Sequence, residues 1–342
     1  MQDYATLEAG SGITTIQRFI AETERSVPGA TGAFSEILRN LALAAKIVSR
    51  EVRRAGLADI LGKAEQSNPS GDDVKKLDVF ANEMIVRAME HGGQLCVMAS
   101  EENESVIPIP DRFPKGKYVM VFDPLDGSSN IDANVTIGTI FSILRRKSES
   151  GHGTMEDIVQ PGYEQVAAGY IMYGSSTIMV FTSGNGLNGF TLDSTIGSFL
   201  LSHRDMKIPS KGKIYSVNEG NKKMWDEGIR RYVEYLQETD PATNRPYSMR
   251  YVGSMIADVH RTILYGGIFM YPGDSKNPDG KLRLIYEASP MAFVVEQAGG
   301  KATTGKERIL DIQPTKLHQR VPVFLGSVED VEMAEKYISG QA

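Results

Sequence analysis

The sequence predicts an α/β chain built as two packed halves, and three observations carry that reading. The chain has 342 residues, more than one core usually serves, since single cores stop growing at roughly 250 to 300 residues. Helical periodicity fills the stretch up to about His91, and from Leu95 the pattern shortens to β-rich runs. After about residue 203 strands alternate with helices, which is the pattern of a layered α/β half.

In chain order, helices are expected over 13–25 and 34–54. The second places Phe34, Ile37, Leu38, Leu41, Ala45, Val48 and Val52 on one stripe before Gly56 ends it. Gly62 to Asp73 reads as a polar loop of the kind that often moves, and a third amphipathic helix covers about 74–91. The runs LCVMAS, KYVMVFD, VTIGTIFSILRR, EQVAAGYIMYG and STIMVFTS then read as strands separated by turn residues. Pro, Ser, Gly and charge interrupt the apolar pattern in HRDMKIPSKGK, residues 203–213, so the domains are taken as 1–205 and 206–342. In the second half KIYSVNE and GIFMYP read as strands, with helices near 224–238, 253–265, 287–298 and 328–338. There is no internal repeat and no low-complexity tract.

Hydrophobic residues at 41% and charged residues at 23% are the balance of a folded globular chain. A net charge of −6 gives no broad electrostatic reason to bind nucleic acid or an anionic membrane, so an anionic substrate must be met locally. The one cysteine, Cys96, excludes an intramolecular disulfide and a cysteine-based zinc site, and its apolar neighbours make it a core thiol. The N-terminal residues lack the basic-then-apolar layout of a secretory signal, and no apolar run approaches the roughly 18 residues of a membrane span. The default location is cytoplasmic.

The most informative stretch is the apolar run Val119–Phe122 leading into Asp123-Pro124-Leu125-Asp126-Gly127-Ser128-Ser129-Asn130-Ile131-Asp132. Two carboxylates emerge together, and Asp-x-x-Asp across a Pro-initiated turn aims both at one point, which suits Mg²⁺ or Mn²⁺. Gly127, Ser128 and Ser129 add unhindered backbone N–H groups and hydroxyls that can cradle a phosphate beside a metal. A plain polar turn is the competing account of DPLDG alone. A second acidic group, Ser100-Glu101-Glu102-Asn103-Glu104, also follows an apolar strand, with a solvated charge run as its alternative. Glu287, in LIYEASPM, sits at an expected helix start, where capping alone would account for it.

Together FDPLDGSSNID, ASEEN and LRLIYEASPMAFVVEQAGG resemble the metal-site motifs of class I fructose-1,6-bisphosphatases. The resemblance runs from about Gly12 to Ile338 and includes GDDVKKLDVFANE, VAAGYIMYGSS, YSVNEG, RYVGSMIADVHRTILYGGIFMYP, DGKLRL and GKERILDIQPTKLHQR. The shorter Asp-Pro-(Ile/Leu)-Asp-Gly core also belongs to inositol monophosphatases and related lithium-sensitive phosphatases, so it alone fixes only the superfamily.

The resemblance implies a five-layer αβαβα sandwich of the sugar phosphatase type, with an α+β N-terminal half. It implies hydrolysis of the 1-phosphate of fructose 1,6-bisphosphate in gluconeogenesis by a cytoplasmic homotetramer. Glu101, Asp123, Asp126, Glu287 and the carbonyl of Leu125 would hold metal: Mg²⁺, with Mn²⁺ or Zn²⁺ as alternatives, about two to three ions per site. Asp78 and Glu102 would orient and deprotonate the attacking water, Asp72 would join when its loop closes, and helix N-terminal charge is the other account of Asp78. The 1-phosphate would lie against Gly127, Ser128 and Ser129. The 6-phosphate would meet Asn218, Tyr251, Tyr271 and Lys281, with Arg250 from an adjacent subunit. Asn221 stands where the vertebrate pattern has a tyrosine, so that contact is lost or replaced. Direct transfer to water is implied, with no phosphoenzyme and no role for His91, His152, His203, His260 or His318.

An allosteric AMP site is implied at Thr31, Gly32, Lys117, Tyr118 and Arg145. Ala33 replaces the family's usual glutamate and Ser35 a threonine, so weakened AMP inhibition is expected. The rival readings are a sedoheptulose-1,7-bisphosphatase or dual enzyme, an inositol phosphatase, and a non-catalytic sugar-phosphate or nucleotide sensor.

Overall fold

The computed structural model describes residues 13–25, 32–55, 57, 62–67 and 73–342. Two helices come first, α1 (Ile16–Arg25) and α2 (Ala33–Val52). Ile37, Leu38, Leu41, Ala45 and Val48 of α2 are buried at three- and four-residue spacing, which is the expected stripe. The helix ends at Val52 with Arg53 as its cap; Gly56, the expected stop, lies outside the described residues.

The segment 62–73 is a hairpin at its edges rather than a plain loop. Strands β1 (Lys63–Ser67) and β2 (Asp73–Lys75) pair antiparallel, leading into α3 (Lys76–Met89). Asp132 pins both edges, accepting the Gly62 N–H at 3.0 Å and the Lys75 Nζ at 2.7 Å. Residues 68–72, and so Asp72, lie outside the described residues.

The first half continues with β3 (Leu95–Ser100), β4 (Ile107–Pro108), β5 (Tyr118–Asp126), β6 (Ile137–Arg145), the short α4 (Met155–Ile158), β7 (Gln165–Tyr173), β8 (Thr177–Thr182), β9 (Asn188–Asp193) and β10 (Ser198–His203). Eight strands form one sheet in the order β10-β9-β8-β7-β6-β5-β3-β4, with β3 and β5 parallel and the other pairs antiparallel. Side chains alternate between its faces. Val119 and Val121 of β5 join one core, and Met120 and Phe122 join the core that α1, α2 and α3 cover.

The second half comprises β11 (Ile214–Ser216), α5 (Glu227–Gln237), β12 (Ser248–Met249), α6 (Met255–Tyr265), β13 (Ile268–Tyr271), β14 (Leu282–Arg283), α7 (Ser289–Gln297), β15 (Lys301–Thr303), β16 (Arg320–Val321), β17 (Val323–Gly326) and α8 (Val328–Ile338). Its sheet runs β12-β11-β13-β17-β15, and β14 pairs separately with β16. Phe269, Val323 and Leu325 point into the core shared with Val119 and Val121, together with Ile256 and Val259 of α6 and Met291 and Val294 of α7. Ile268, Met270 and Phe324 point the other way, into a third core with Tyr232 and Val233 of α5 and Val331 of α8. The layers are therefore helices, large sheet, α6 and α7, small sheet, helices: the expected αβαβα sandwich. The middle helix layer serves both sheets, and it brings the first turn of α6 and the approach to α7 beside the end of β5.

Candidate active site

Asp123 and Asp126 both belong to β5, which continues through a bulge instead of ending in a turn. The register against β6 slips between Asp123, opposite Ile140, and Asp126, opposite Gly138. Pro124 explains the slip, because it has no N–H to give to the ladder and is tolerated in a sheet at such irregularities. The buried Thr139 hydroxyl of β6 donates to the Pro124 carbonyl at 2.8 Å, and the Leu125 N–H donates to Asp123 Oδ1 at 3.0 Å. The bulge thus turns two carboxylates three residues apart towards one point.

The third carboxylate comes from the other half. Glu287 lies in a single wide π turn, Leu284–Ala288, that runs into α7, so it precedes the regular helix rather than starting it. Oxygens of Asp123, Asp126 and Glu287 lie within 4.8 Å of one another, and all three residues are buried. Glu101, at the end of β3, is buried beside them, and its charge acts on Asp123.

Burial pushes all three carboxyls upward. Asp123 rises well above the carboxylate range through desolvation and the neighbouring charges of Glu101, Glu287 and Asp126. Desolvation takes Asp126 to about 6, against hydrogen bonds from Ile256 and Ser254 that lower it. Glu287 goes to about 7 for the same first reason, with Arg283 opposing. Arg283 pairs with Glu101 at 2.6 Å and approaches Glu287 at 3.8 Å, and Arg320 adds a second favourable charge at Glu287. Four carboxylates against two guanidinium groups leave the cluster negative. Buried uncompensated charge is expensive, and hard oxygen donors converging at this spacing fit a divalent cation of the Mg²⁺ or Mn²⁺ kind.

Asp78, at the start of α3, is buried and accepts the Lys75 N–H at 2.9 Å through Oδ2, while Oδ1 has no hydrogen-bond partner. It therefore caps the helix, as the blander account expected. Burial, with Glu102 adding to it against the Lys75 hydrogen bond, raises its carboxyl to about 7. The neighbouring Ser128 side chain also opposes that rise, which places Asp78 beside the Gly127-Ser128-Ser129 turn. That turn opens with Gly127 at φ 78°, a left-handed conformation that favours glycine.

The sugar-side residues are less gathered. Tyr251 and Tyr271 are half-buried against the central core; burial first and then Tyr271 raise the Tyr251 hydroxyl to about 12, and Asp126 is near enough to contribute. Asn218 is exposed and accepts the Gly220 N–H at 3.1 Å; Lys281 is exposed and acts on Asp274. Arg250 is exposed after the edge strand β12, its guanidinium donating to the Met249 carbonyl. Sequence reasoning did not single out Arg283, Thr139, Ser254 or Asp132, although Arg283 sat in the quoted LRLIYE string. His318, expected to play no part, donates from Nε2 to the Asn103 carbonyl at 3.1 Å and so braces the turn that carries Glu101 and Glu102.

A separate cavity of about 730 Å³ lies between α1, the start of α2 and the ends of the central strands β5 to β8 opposite the carboxylates. Lys117, Tyr118, Arg145, Ala33 and Phe34 line it, and the Arg145 guanidinium lies 5.7 Å from the Tyr118 ring centre. Gly32 caps α2 at φ 75°; Thr31 lies outside the described residues. The Ser35 hydroxyl is buried in the first turn of α2 without a hydrogen-bond partner.

Known proteins match this chain end to end. Residues 14–204 match the family described as fructose-1-6-bisphosphatase, N-terminal domain, and 208–339 match its C-terminal domain. A class 1 fructose-1,6-bisphosphatase of Chloroherpeton thalassium is 58% identical over 96% of this chain and 94% of its own. One of Nitratidesulfovibrio vulgaris is 53% identical over 95% and 97%. The crystal structure of Leishmania major fructose-1,6-bisphosphatase in holo form superposes with a TM-score of 0.90 at 42% identity, covering 96% of this chain and 99% of that one.

Proposed function

The chain belongs to the class 1 fructose-1,6-bisphosphatases, and from that membership we propose how its residues carry out the hydrolysis of fructose 1,6-bisphosphate to fructose 6-phosphate and phosphate. The observation that carries the proposal is the buried convergence of Asp123, Asp126 and Glu287 from two different halves.

Asp123, Asp126, Glu287, Glu101 and the Leu125 carbonyl would hold the divalent cations, Mg²⁺ in the first place. When bound, such ions withdraw charge from the phosphate and make water more acidic. Gly127, Ser128 and Ser129 hold the 1-phosphate through N–H and hydroxyl donors. Asp78, raised to about 7, is poised to take a proton from water near neutral pH, with Glu102 as its companion. The water oxygen bonds to phosphorus as the bond to the sugar O1 breaks, and the leaving oxygen takes up a proton. Asp72, which lies outside the described residues, would complete the closed site by family likeness.

Tyr251, Tyr271, Asn218 and Lys281 receive the 6-phosphate, with Arg250 supplied by the neighbour in a homotetramer. Residues 1–205 and 206–342 act as the two domains, and the enzyme works in the cytoplasm. No helix among the described residues is long and apolar enough to cross a membrane. The cavity at Lys117, Tyr118 and Arg145, by the start of α2 that Gly32 caps, is the AMP site; Thr31 would join it by family likeness.

The test is phosphate release from fructose 1,6-bisphosphate with and without Mg²⁺, comparing wild type with Asp126→Ala. Release that needs the metal and disappears in the variant supports the assignment. Metal-independent release, or an active Asp126→Ala enzyme, rejects it.

A further inference from the structure

The first turn of α6 does something the carboxylate cluster needs. Ser254, fully buried just before the helix, donates its hydroxyl to Asp126 Oδ2 at 3.1 Å, and the Ile256 N–H donates to the same oxygen at 3.0 Å. Ordinarily a serine before a helix caps its own first turn, yet no such bond forms here. The hydroxyl is spent instead on a residue 128 positions away. Two donors on Oδ2 fix the plane of the carboxylate, which converges with those of Asp123 and Glu287.

The approach is close enough to dictate a neighbour. A Cβ added at Gly127 would sit 2.9 Å from the Ser254 Cβ, so the glycine of the phosphate turn also admits the serine. The other end of this clamp is in the sugar-side strap. Asp258, one turn along α6, accepts the Val252 and Gly253 N–H groups and pairs with Arg261, whose guanidinium also donates to the Arg250 carbonyl. One helix therefore grips Asp126 from the first half and residues 250–253 from the second.

We infer that Ser254 is a positioning residue: its hydroxyl sets the orientation of Asp126 for cation binding. The inference rests on Asp126 being a cation ligand. Groups that orient metal ligands typically govern about 10- to 100-fold in metal affinity.

The experiment is Mn²⁺ titration of metal-free protein, following the free-ion spin resonance signal, on wild type, Ser254→Ala, Ser254→Cys and Asp126→Ala. Ser254→Ala is expected to bind Mn²⁺ roughly tenfold more weakly, with the KM for fructose 1,6-bisphosphate at saturating metal unchanged. Ser254→Cys, which keeps shape and a weak donor, should fall between, and it stands in if the alanine variant does not fold. A merely structural serine would lower the melting temperature and leave Mn²⁺ affinity at the wild-type value, which overturns the inference. If Asp126→Ala binds Mn²⁺ like wild type, the cation assignment itself has failed.

Discussion

Arg283 donates from Nη2 to Glu101 Oε1 across 2.6 Å, with both side chains about nine-tenths buried. Its own N–H meets Glu287 Oε2 at 2.5 Å. One residue of the second half thus braces carboxylates from both halves before any cation is bound.

Removing that guanidinium leaves buried carboxylates short of positive charge, a change that typically costs about 3 to 5 kcal/mol. Arg283→Leu is therefore expected to melt several degrees lower than wild type in EDTA, and Mg²⁺ should recover most of the difference. Calorimetry in both conditions checks this; an equal deficit with and without metal would speak against shared charge compensation.

Metal-free protein should lose stability as pH rises from about 4 to about 7. Asp126 moves from 3.8 to about 6 and Glu287 from 4.5 to about 7 on folding, and Asp123 moves the same way. In that window the folded chain holds protons that the unfolded chain has released, so the slope is negative, and the share of Asp126 and Glu287 is complete above about 7. Divalent cations stabilise the ionised forms and should flatten the whole curve. Melting temperatures across pH 4 to 8, in EDTA and in Mg²⁺, are the measurement.

Asp78 must be ionised to accept a proton, so turnover should climb with pH through about 7 and then level. Asp78→Asn is expected to lower kcat by roughly 10²- to 10⁴-fold and to abolish that limb while leaving KM near its wild-type value. A variant that keeps the limb would assign it to another group.

Asp132 ties down both edges of the 62–75 hairpin. Asp132→Ala should make that hairpin a faster target for limited proteolysis and reduce kcat several-fold, with circular dichroism unchanged. Unaltered cleavage would mean that the hairpin is held elsewhere.

Ala33 and Arg145 line the cavity proposed for AMP. Ala33→Glu should lower the AMP concentration needed for half-inhibition, because it restores the acceptor of the family pattern. Arg145→Ala should raise it. AMP titrations of the two variants against wild type decide the matter, and an Arg145→Ala enzyme with wild-type sensitivity would remove this cavity from regulation.

The layers and the carboxylates were legible because their signals are local. The unbroken apolar run in KYVMVFD marks a strand covered on both faces, period 3.6 in the stripe from Phe34 to Val52 marks a helix face, and Asp-x-x-Asp beside an apolar strand marks convergence. What escaped depends on partners far along the chain. Pro124 reads as a turn until Gly138 and Thr139 arrive opposite it and make a bulge. Ser254 has no visible role until Asp126, 128 positions away, takes its hydroxyl. The hairpin of β9 and β10 was not singled out because Asn, Gly, Thr and Ser interrupt its apolar runs, and Glu287 was placed at a helix start that proved to be a π turn.

The middle helix layer also constrains synthesis. The large sheet is complete once β10 has left the ribosome, yet the core that Val119, Val121 and Val180 enter is closed by residues of α6 and α7. At roughly 5 to 20 residues per second, that apolar face stays bare for on the order of ten seconds. During translation the first half is thus a sticky intermediate, one that a chaperone must shield or that the emerging second half must reach before another chain does.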